Sequence, residues 1–221
     1  MEHFKLRAQL LEVAQKMEVT SLNQGTSGNL SVRTKGGFLI TPSALPYTQC
    51  ETEDIVLMDL EGNAIGPRKP SSEWRFHRDI YIQRQDAGAV LHAHSPWSTT
   101  LACLQTPIPA FHYMVAVAGG DDIRCAPYAT FGTQALSDYA LEALQNRKAC
   151  LLANHGLLCL DTGLDNVLAL AIEIENLAQV FGQAMQIGKP KLLSNAAMKK
   201  VFERFKDYRS GNYSASSENQ G

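Results

Sequence analysis

A chain of 221 residues, 45% hydrophobic and 19% charged, has the length and composition of one ordinary globular domain with a sizeable core. Its formal charge of −2, with no basic run, offers no partner surface to nucleic acid or an anionic membrane, so any anionic ligand must be gripped locally. Five scattered cysteines, Cys50, Cys103, Cys125, Cys150 and Cys159, form no Cys-x-x-Cys pair, the N-terminus lacks an apolar leader, and no apolar run approaches ~20 residues. These features argue against a disulfide framework, a thiolate zinc site and a spanning helix, and the expectation is a soluble cytoplasmic protein.

Leu6, Leu10, Val13 and Met17 recur at steps of three and four and predict an amphipathic first helix. After Asn23-Gln24-Gly25-Thr26-Ser27-Gly28 come two short candidate strands, Asn29 to Arg33 and Phe38 to Thr41, joined as a hairpin across Gly36-Gly37. Ile55 to Leu60 reads as a strand ended by Glu61-Gly62-Asn63, followed by a Pro-punctuated loop to Pro70. A helix then runs to about Arg84, with Ser71 or Ser72 as its cap and Glu73 in its first turn.

Ala89 to His94 is a strand, and Ser95-Pro96 opens a helix to about Leu104. Pro107 and Pro109 break the chain, His112 to Ala118 is strand-like, Gly119-Gly120 a turn, and Thr133 to Gln145 a helix. Two apolar runs, Cys150 to Ala153 and Leu157 to Leu160, flank Asn154-His155-Gly156, where a tight turn pushes the His155 ring outward at a strand end. Asp165 to about Ile187 is a long helix and Asn195 to about Tyr208 a final one; residues 209–221 form a polar tail. With no repeat and no dividing linker, residues 1–208 are expected to form a single α/β domain, a mixed or mostly antiparallel central sheet flanked by helices.

The histidines carry the most chemical information. His92 and His94, two apart on a strand, present both rings on one face, and His155 at a turn adds a third. A lone histidine is more often structural, but three that converge meet the needs of a divalent metal. His3, His77 and His112 are weaker candidates, placed in the terminus, within a helix, and among proline and aromatic residues.

Taken alone, Glu73 reads as an acid complementing a helix macrodipole. Beside a metal it becomes a ligand, or the base for a proton acidified by the cation. Ser71 and Ser72, at a helix N-terminus, and the Gly25-Thr26-Ser27-Gly28-Asn29 loop offer N–H and hydroxyl donors that suit a phosphate, although such loops are usually only turns. Gly25-x-x-Gly28 is neither a nucleotide P-loop nor a dinucleotide fingerprint. Tyr113 reads as core or as a proton donor assisted by a nearby cation. No Gly-x-Ser-x-Gly and no cysteine–histidine motif supports a hydrolase.

Read together, several segments resemble the class II aldolase/adducin family, and within it the bacterial branch that acts on L-fuculose 1-phosphate. They are Leu22 to Asn29, Ile40-Thr41-Pro42-Ser43, Pro70 to His77, His92-Ala93-His94, Ile108 to Met114, Cys125 to Thr133 and Asn154-His155-Gly156-Leu157, spanning about residues 20 to 160 in family order. The end, Phe205-Lys206-Asp207-Tyr208, also fits.

The resemblance implies a zinc-dependent aldolase with Zn2+ on His92, His94 and His155. By the same carry-over, Gly28, Asn29, Ser43, Ala44, Ser71 and Ser72 hold the substrate phosphate, and Glu73 exchanges the proton next to the carbonyl. Tyr113 handles the hydroxyl proton of the aldehyde half, and Phe131 and Tyr208 shape the aldehyde pocket. The family's C4 homotetramer places Tyr113 across a subunit interface from the metal. The implied reaction converts a ketose 1-phosphate, L-fuculose 1-phosphate first, through a metal-stabilised enediolate to dihydroxyacetone phosphate and L-lactaldehyde.

Aldolases for 5-deoxyribulose or methylthioribulose 1-phosphate are the alternatives, followed by a methylthioribulose-1-phosphate dehydratase or a pentulose-5-phosphate 4-epimerase. In the epimerases the resemblance implies aspartate where Glu73 stands. The non-enzyme alternative is an adducin-like protein-binding head. Two departures stand out: Ser43-Ala44 replaces an expected Thr-Gly, where the Ala44 methyl resists positive φ, and Ala93 replaces a common Asn.

Overall fold

The computed structural model describes residues 3–209, with side chains described to Asp207. It opens with α1 (Phe4–Val19), which buries Leu10, Val13 and Met17 of the expected stripe and Ala14 beside them, with Leu6 half-buried against the same core. The hairpin of β1 (Asn29–Thr34) and β2 (Gly37–Ile40) follows, its connection passing through Gly36 at φ 86°. Next come β3 (Val56–Asp59), the short β4 (Ala64–Ile65), α2 (Trp74–Gln83), β5 (Ala89–Ala93) and α3 (Pro96–Cys103). The remaining elements are β6 (Arg124–Ala126), α4 (Gln134–Ala143), β7 (Ala149–Leu152), β8 (Gly156–Asp161), α5 (Leu164–Ile187) and α6 (Asn195–Arg209).

Among the described residues, eight strands form one sheet in the order β4-β3-β2-β1-β5-β8-β7-β6. Every neighbouring pair is antiparallel except β6 with β7. Two apolar clusters sandwich it. One joins α1, α3 and α5 to Leu91, Leu151, Leu157 and Cys159; the other joins α2 and α4 to Val90, Cys150, Leu158 and Leu160. Both faces of β5, β7 and β8 are therefore covered, which is why these strands, His92 of β5 and the terminal Asp161 of β8 apart, are apolar and not alternating. The expected α/β domain with a mixed, mostly antiparallel sheet between helical layers is the one observed.

Two expectations change. The run His112 to Ala118 is not a strand: Tyr113–Ala118 is a 3-10 helix with the His112 Nδ1 accepting the Met114 N–H and Gly119 closing it at φ 90°. Its β-branched valines suggested a strand, but Val115 and Ala118 fall one turn apart and are buried together in the cluster formed with α5. The other change is at α2, which begins at Trp74, so Glu73 occupies the N-cap position without a side-chain cap and not the first turn. Ser71 makes the turn before it, its Oγ accepting the Glu73 N–H and its carbonyl the Trp74 N–H. Residues 210–221 of the expected tail lie outside the described residues.

Candidate functional site

Strand alternation decides which side of the sheet carries chemistry. Ala89, Leu91 and Ala93 of β5 pack toward α5, so Val90, His92 and the following His94 turn to the face covered by α2. Antiparallel pairing of β5 with β8 then sets Ala93 opposite Leu157, which brings the β7–β8 turn and its His155 beside His94. Asn154 at φ 53° makes that turn tight, and the His155 N–H closes it on the Leu152 carbonyl. Gly156 matters too, because a Cβ there would overlap the Ala93 carbonyl and press on the His94 ring.

The three imidazoles offer nitrogens that all lie within 4.8 Å of one another. His92 and His94 approach with Nε2 atoms 3.0 Å apart. The His92 Nδ1 is 2.9 Å from the Leu157 carbonyl, an acceptor only, so Nδ1 carries the proton and the Nε2 lone pair points into the cluster. Burial takes the His92 imidazole down to about 3. It lowers His94 as well, with His155 adding to the effect. Neutral rings are what a divalent cation needs.

Glu73 faces this cluster from the start of α2. Its Oε2 is 3.3 Å from His92 Nε2, and its Oε1 is 3.2 Å from His155 Nε2. Oε2 also accepts the Asn29 Nδ2–H at 3.0 Å, whereas Oε1 has no hydrogen bond despite its burial. Burial works against the charge, but the facing imidazoles of His92 and His155 and the Asn29 amide outweigh it and hold the carboxyl well below its usual range. Three imidazole nitrogens with a carboxylate beside them fit the N- and O-donor set of a catalytic zinc site, and an orphaned carboxylate oxygen aimed at the rings adds to that fit.

A cleft of about 300 Å³ opens above the cluster. Gly28, Asn29, Ser43, Ala44, Ser71, Ser72, Glu73, His94 and His155 line it. Tyr128, Ala129, Phe131 and Asn154 also line it, with the rings of Tyr128 and Phe131 well exposed. Ala44 adopts φ 56° despite its methyl, so the loop keeps a left-handed residue where Ala was expected to resist it. His92 is wholly buried below.

Tyr113 does not line this cleft; it lies on the 3-10 helix, 49% exposed, near the Phe205 ring. The side chain of Tyr208 lies outside the described residues. His77, set aside as a helical histidine, is fully buried and bonded to Asn29. A signal for it was available, since His77 stands one helical turn from Glu73.

Residues 8–181 match the family model of the class II aldolase and adducin N-terminal domain. The 5-methylthioribulose-1-phosphate/5-deoxyribulose-1-phosphate aldolase of Rhodospirillum rubrum is 53% identical over 203 residues, covering 92% of each chain. The L-fuculose phosphate aldolase of Escherichia coli K12 is 46% identical over 209 residues, covering 94% of this chain and 97% of that one. Among solved structures, an L-fuculose 1-phosphate aldolase superposes with a TM-score of 0.88 at 41% identity, covering 91% of this chain and 96% of the other.

Proposed function

Because the chain belongs to the class II aldolase and adducin family, we propose that it is a zinc-dependent aldolase cleaving a ketose 1-phosphate between C3 and C4 to dihydroxyacetone phosphate and a short aldehyde. The observation that carries this reading is the Glu73 carboxylate, 3.2 to 3.3 Å from two rings of a three-histidine cluster and facing the cleft. His92, His94 and His155 would hold the metal. When bound, it supplies a Lewis acid for the negative charge that bond cleavage leaves on the C2 and C3 oxygens.

The protein groups do the rest. Backbone N–H groups at Gly28 and Asn29 and the hydroxyls of Ser43, Ser71 and Ser72 grip the phosphate as a remote handle, and Ala44 shapes the loop between them. In cleavage the C4 hydroxyl loses its proton as its C–O bond becomes a carbonyl. The C3–C4 electron pair passes toward C2, and C3 gains a proton delivered by Glu73, whose carboxylate first takes that proton from solvent. Tyr113 relays the C4 hydroxyl proton to solvent, giving up its own phenol proton as it accepts that one. Its exposure outside the cleft of its own protomer supports supply from a neighbouring copy in a homotetramer.

For the aldehyde half, the first reading is 5-methylthioribulose or 5-deoxyribulose 1-phosphate. Support comes from the 53% identity to the R. rubrum enzyme and from the apolar mouth formed by Ala129 and the rings of Tyr128 and Phe131, which suits a methyl or methylthio end. L-fuculose 1-phosphate is the second reading, supported by the E. coli relative and the structural likeness. A substrate panel of these ketose phosphates, with and without EDTA, decides between them by the rate of dihydroxyacetone phosphate release. Water loss without that product would instead indicate a dehydratase. Absence of both bound metal and EDTA-sensitive activity would revive a protein-binding role.

A further inference from the structure

Behind Glu73 runs a buried row of polar side chains. Asn29 Nδ2 donates to Glu73 Oε2 at 3.0 Å, and Asn29 Oδ1 lies 2.6 Å from His77 Nε2. His77 Nδ1 lies 2.6 Å from Ser31 Oγ, and that oxygen is 2.8 Å from the Tyr81 hydroxyl. Ser31, His77 and Tyr81 are fully buried and Asn29 is 3% exposed. The row exists because two periodicities face each other: Asn29 and Ser31 alternate on β1, while His77 and Tyr81 lie one turn apart on α2 and Glu73 one turn before His77 at its N-cap.

Its direction is fixed by one end. The Asn29 amide sets it: its Nδ2 donates to Glu73 Oε2, which leaves its carbonyl oxygen, an acceptor only, facing His77. His77 Nε2 must then carry the proton. Burial takes the His77 imidazole down to about 3, so the ring is neutral at pH 7 and Nδ1 accepts. Ser31 spends its single proton on that nitrogen, and the Tyr81 hydroxyl donates to Ser31. Every donor in the row points toward Glu73, and aligned bonds in a dry interior reinforce one another.

We propose that His77 is a positioning residue for Glu73: the row Tyr81–Ser31–His77–Asn29 locks Oε2 as an acceptor and leaves Oε1 as the oxygen that exchanges the substrate proton. Oε1 is the buried carboxylate atom without a hydrogen bond, on the side of His155. The assignment rests on reading Glu73 as the acid/base of an aldolase. It also gives the Asn29 side chain a task separate from the phosphate contact expected of that position.

The test has two arms on the full chain. The first needs no activity: 15N spectra of the histidine rings in metal-free protein should show His77 with a protonated Nε2 and a pyridine-type Nδ1. The opposite tautomer overturns the proposal. The second compares His77→Phe with His77→Gln, whose amide can both donate to Asn29 and accept from Ser31. His77→Phe should bind metal in full and keep KM, yet lose about 10- to 100-fold in kcat and in hydrogen exchange at C3 of dihydroxyacetone phosphate in D2O. His77→Gln should recover most of that loss.

Unchanged kcat and exchange in folded, metal-loaded His77→Phe overturn the proposal, as does an equal loss in His77→Gln with unaltered metal content. A wild type that shows the expected tautomer but neither cleaves ketose phosphates nor exchanges the proton overturns the aldolase reading instead. The two failures are thus distinct.

Discussion

Oε1 of Glu73 lies 3.2 Å from Nε2 of His155, although 82 positions of chain separate the two residues and neither belongs to a helix or strand. The contact joins the segment entering α2 to the turn between β7 and β8. It makes the three histidines and the carboxylate one unit, so substitutions at its members should separate by role.

His94→Ala removes a proposed metal ligand and should abolish both metal binding and cleavage. Glu73→Gln keeps the three rings and should retain metal while losing about 10²- to 10⁴-fold in proton exchange on dihydroxyacetone phosphate. Metal analysis of purified protein and loss of the C3 proton signal in D2O provide the two readouts. Normal exchange in Glu73→Gln would remove Glu73 from the mechanism.

Gly156→Ala should disturb the histidine cluster without replacing any of its three histidines. A methyl there meets the Ala93 carbonyl, which cannot yield without shifting β5, and then the His94 ring. Metal affinity should fall by about 10-fold or more by analogy with the loss of supporting contacts around metal ligands, as read by competition with a chelator. Wild-type affinity would show that the turn relaxes freely.

Ala44→Gly should stabilise the protein by roughly 0.5–1 kcal/mol, since Ala44 is held at φ 56°, a conformation that glycine reaches without the clash of a Cβ. Thermal melting of the two proteins checks this. A lower melting temperature in the glycine variant would mean that the Ala44 methyl is held by packing.

Stability should fall in acid partly through His77. Its folded-state value of about 3 is below the ordinary ~6.5, so between those pH values the unfolded chain binds a proton that the folded one refuses. The stability contribution is whole above about pH 6.5 and is lost as pH falls, by up to about 1.4 kcal/mol per pH unit. Urea unfolding of metal-free protein from about pH 7 to pH 4 should show a shallower slope in His77→Gln than in wild type.

Glu175 of α5 accepts from Ser95 Oγ, the Trp97 and Ser98 N–H groups and Ser98 Oγ, so one carboxylate caps α3 from another element. Glu175→Ala leaves these donors without a partner immediately after His94 and should destabilise by roughly 2–4 kcal/mol. Chemical denaturation measures it. A loss below about 1 kcal/mol would mean that water replaces the cap.

Much of the site was readable because it follows local periodicity. His92 and His94 share a strand face wherever that strand lies, and Asn154-His155-Gly156 between two apolar runs is a turn in any fold. The 3-10 helix at Tyr113–Ala118 was misread because Val115 and Val117 suit a strand, and only packing against α5 favours the tighter coil. At three and two residues, β6 and β4 are too short to show a period at all.

The sequence by itself determined the class of fold and the placing of His92 and His94 on one strand face, because side-chain direction repeats with the backbone, and its motifs carried the resemblance to the family. Which donors meet was decided by tertiary structure. Register between β5 and β8 brings His155 to His94, and the docking of α2 over β1 sets Glu73, His77 and Tyr81 against Asn29 and Ser31. Those contacts are made across separations of dozens of residues, and no local rule of the chain encodes a distance between elements that only a shared core brings together.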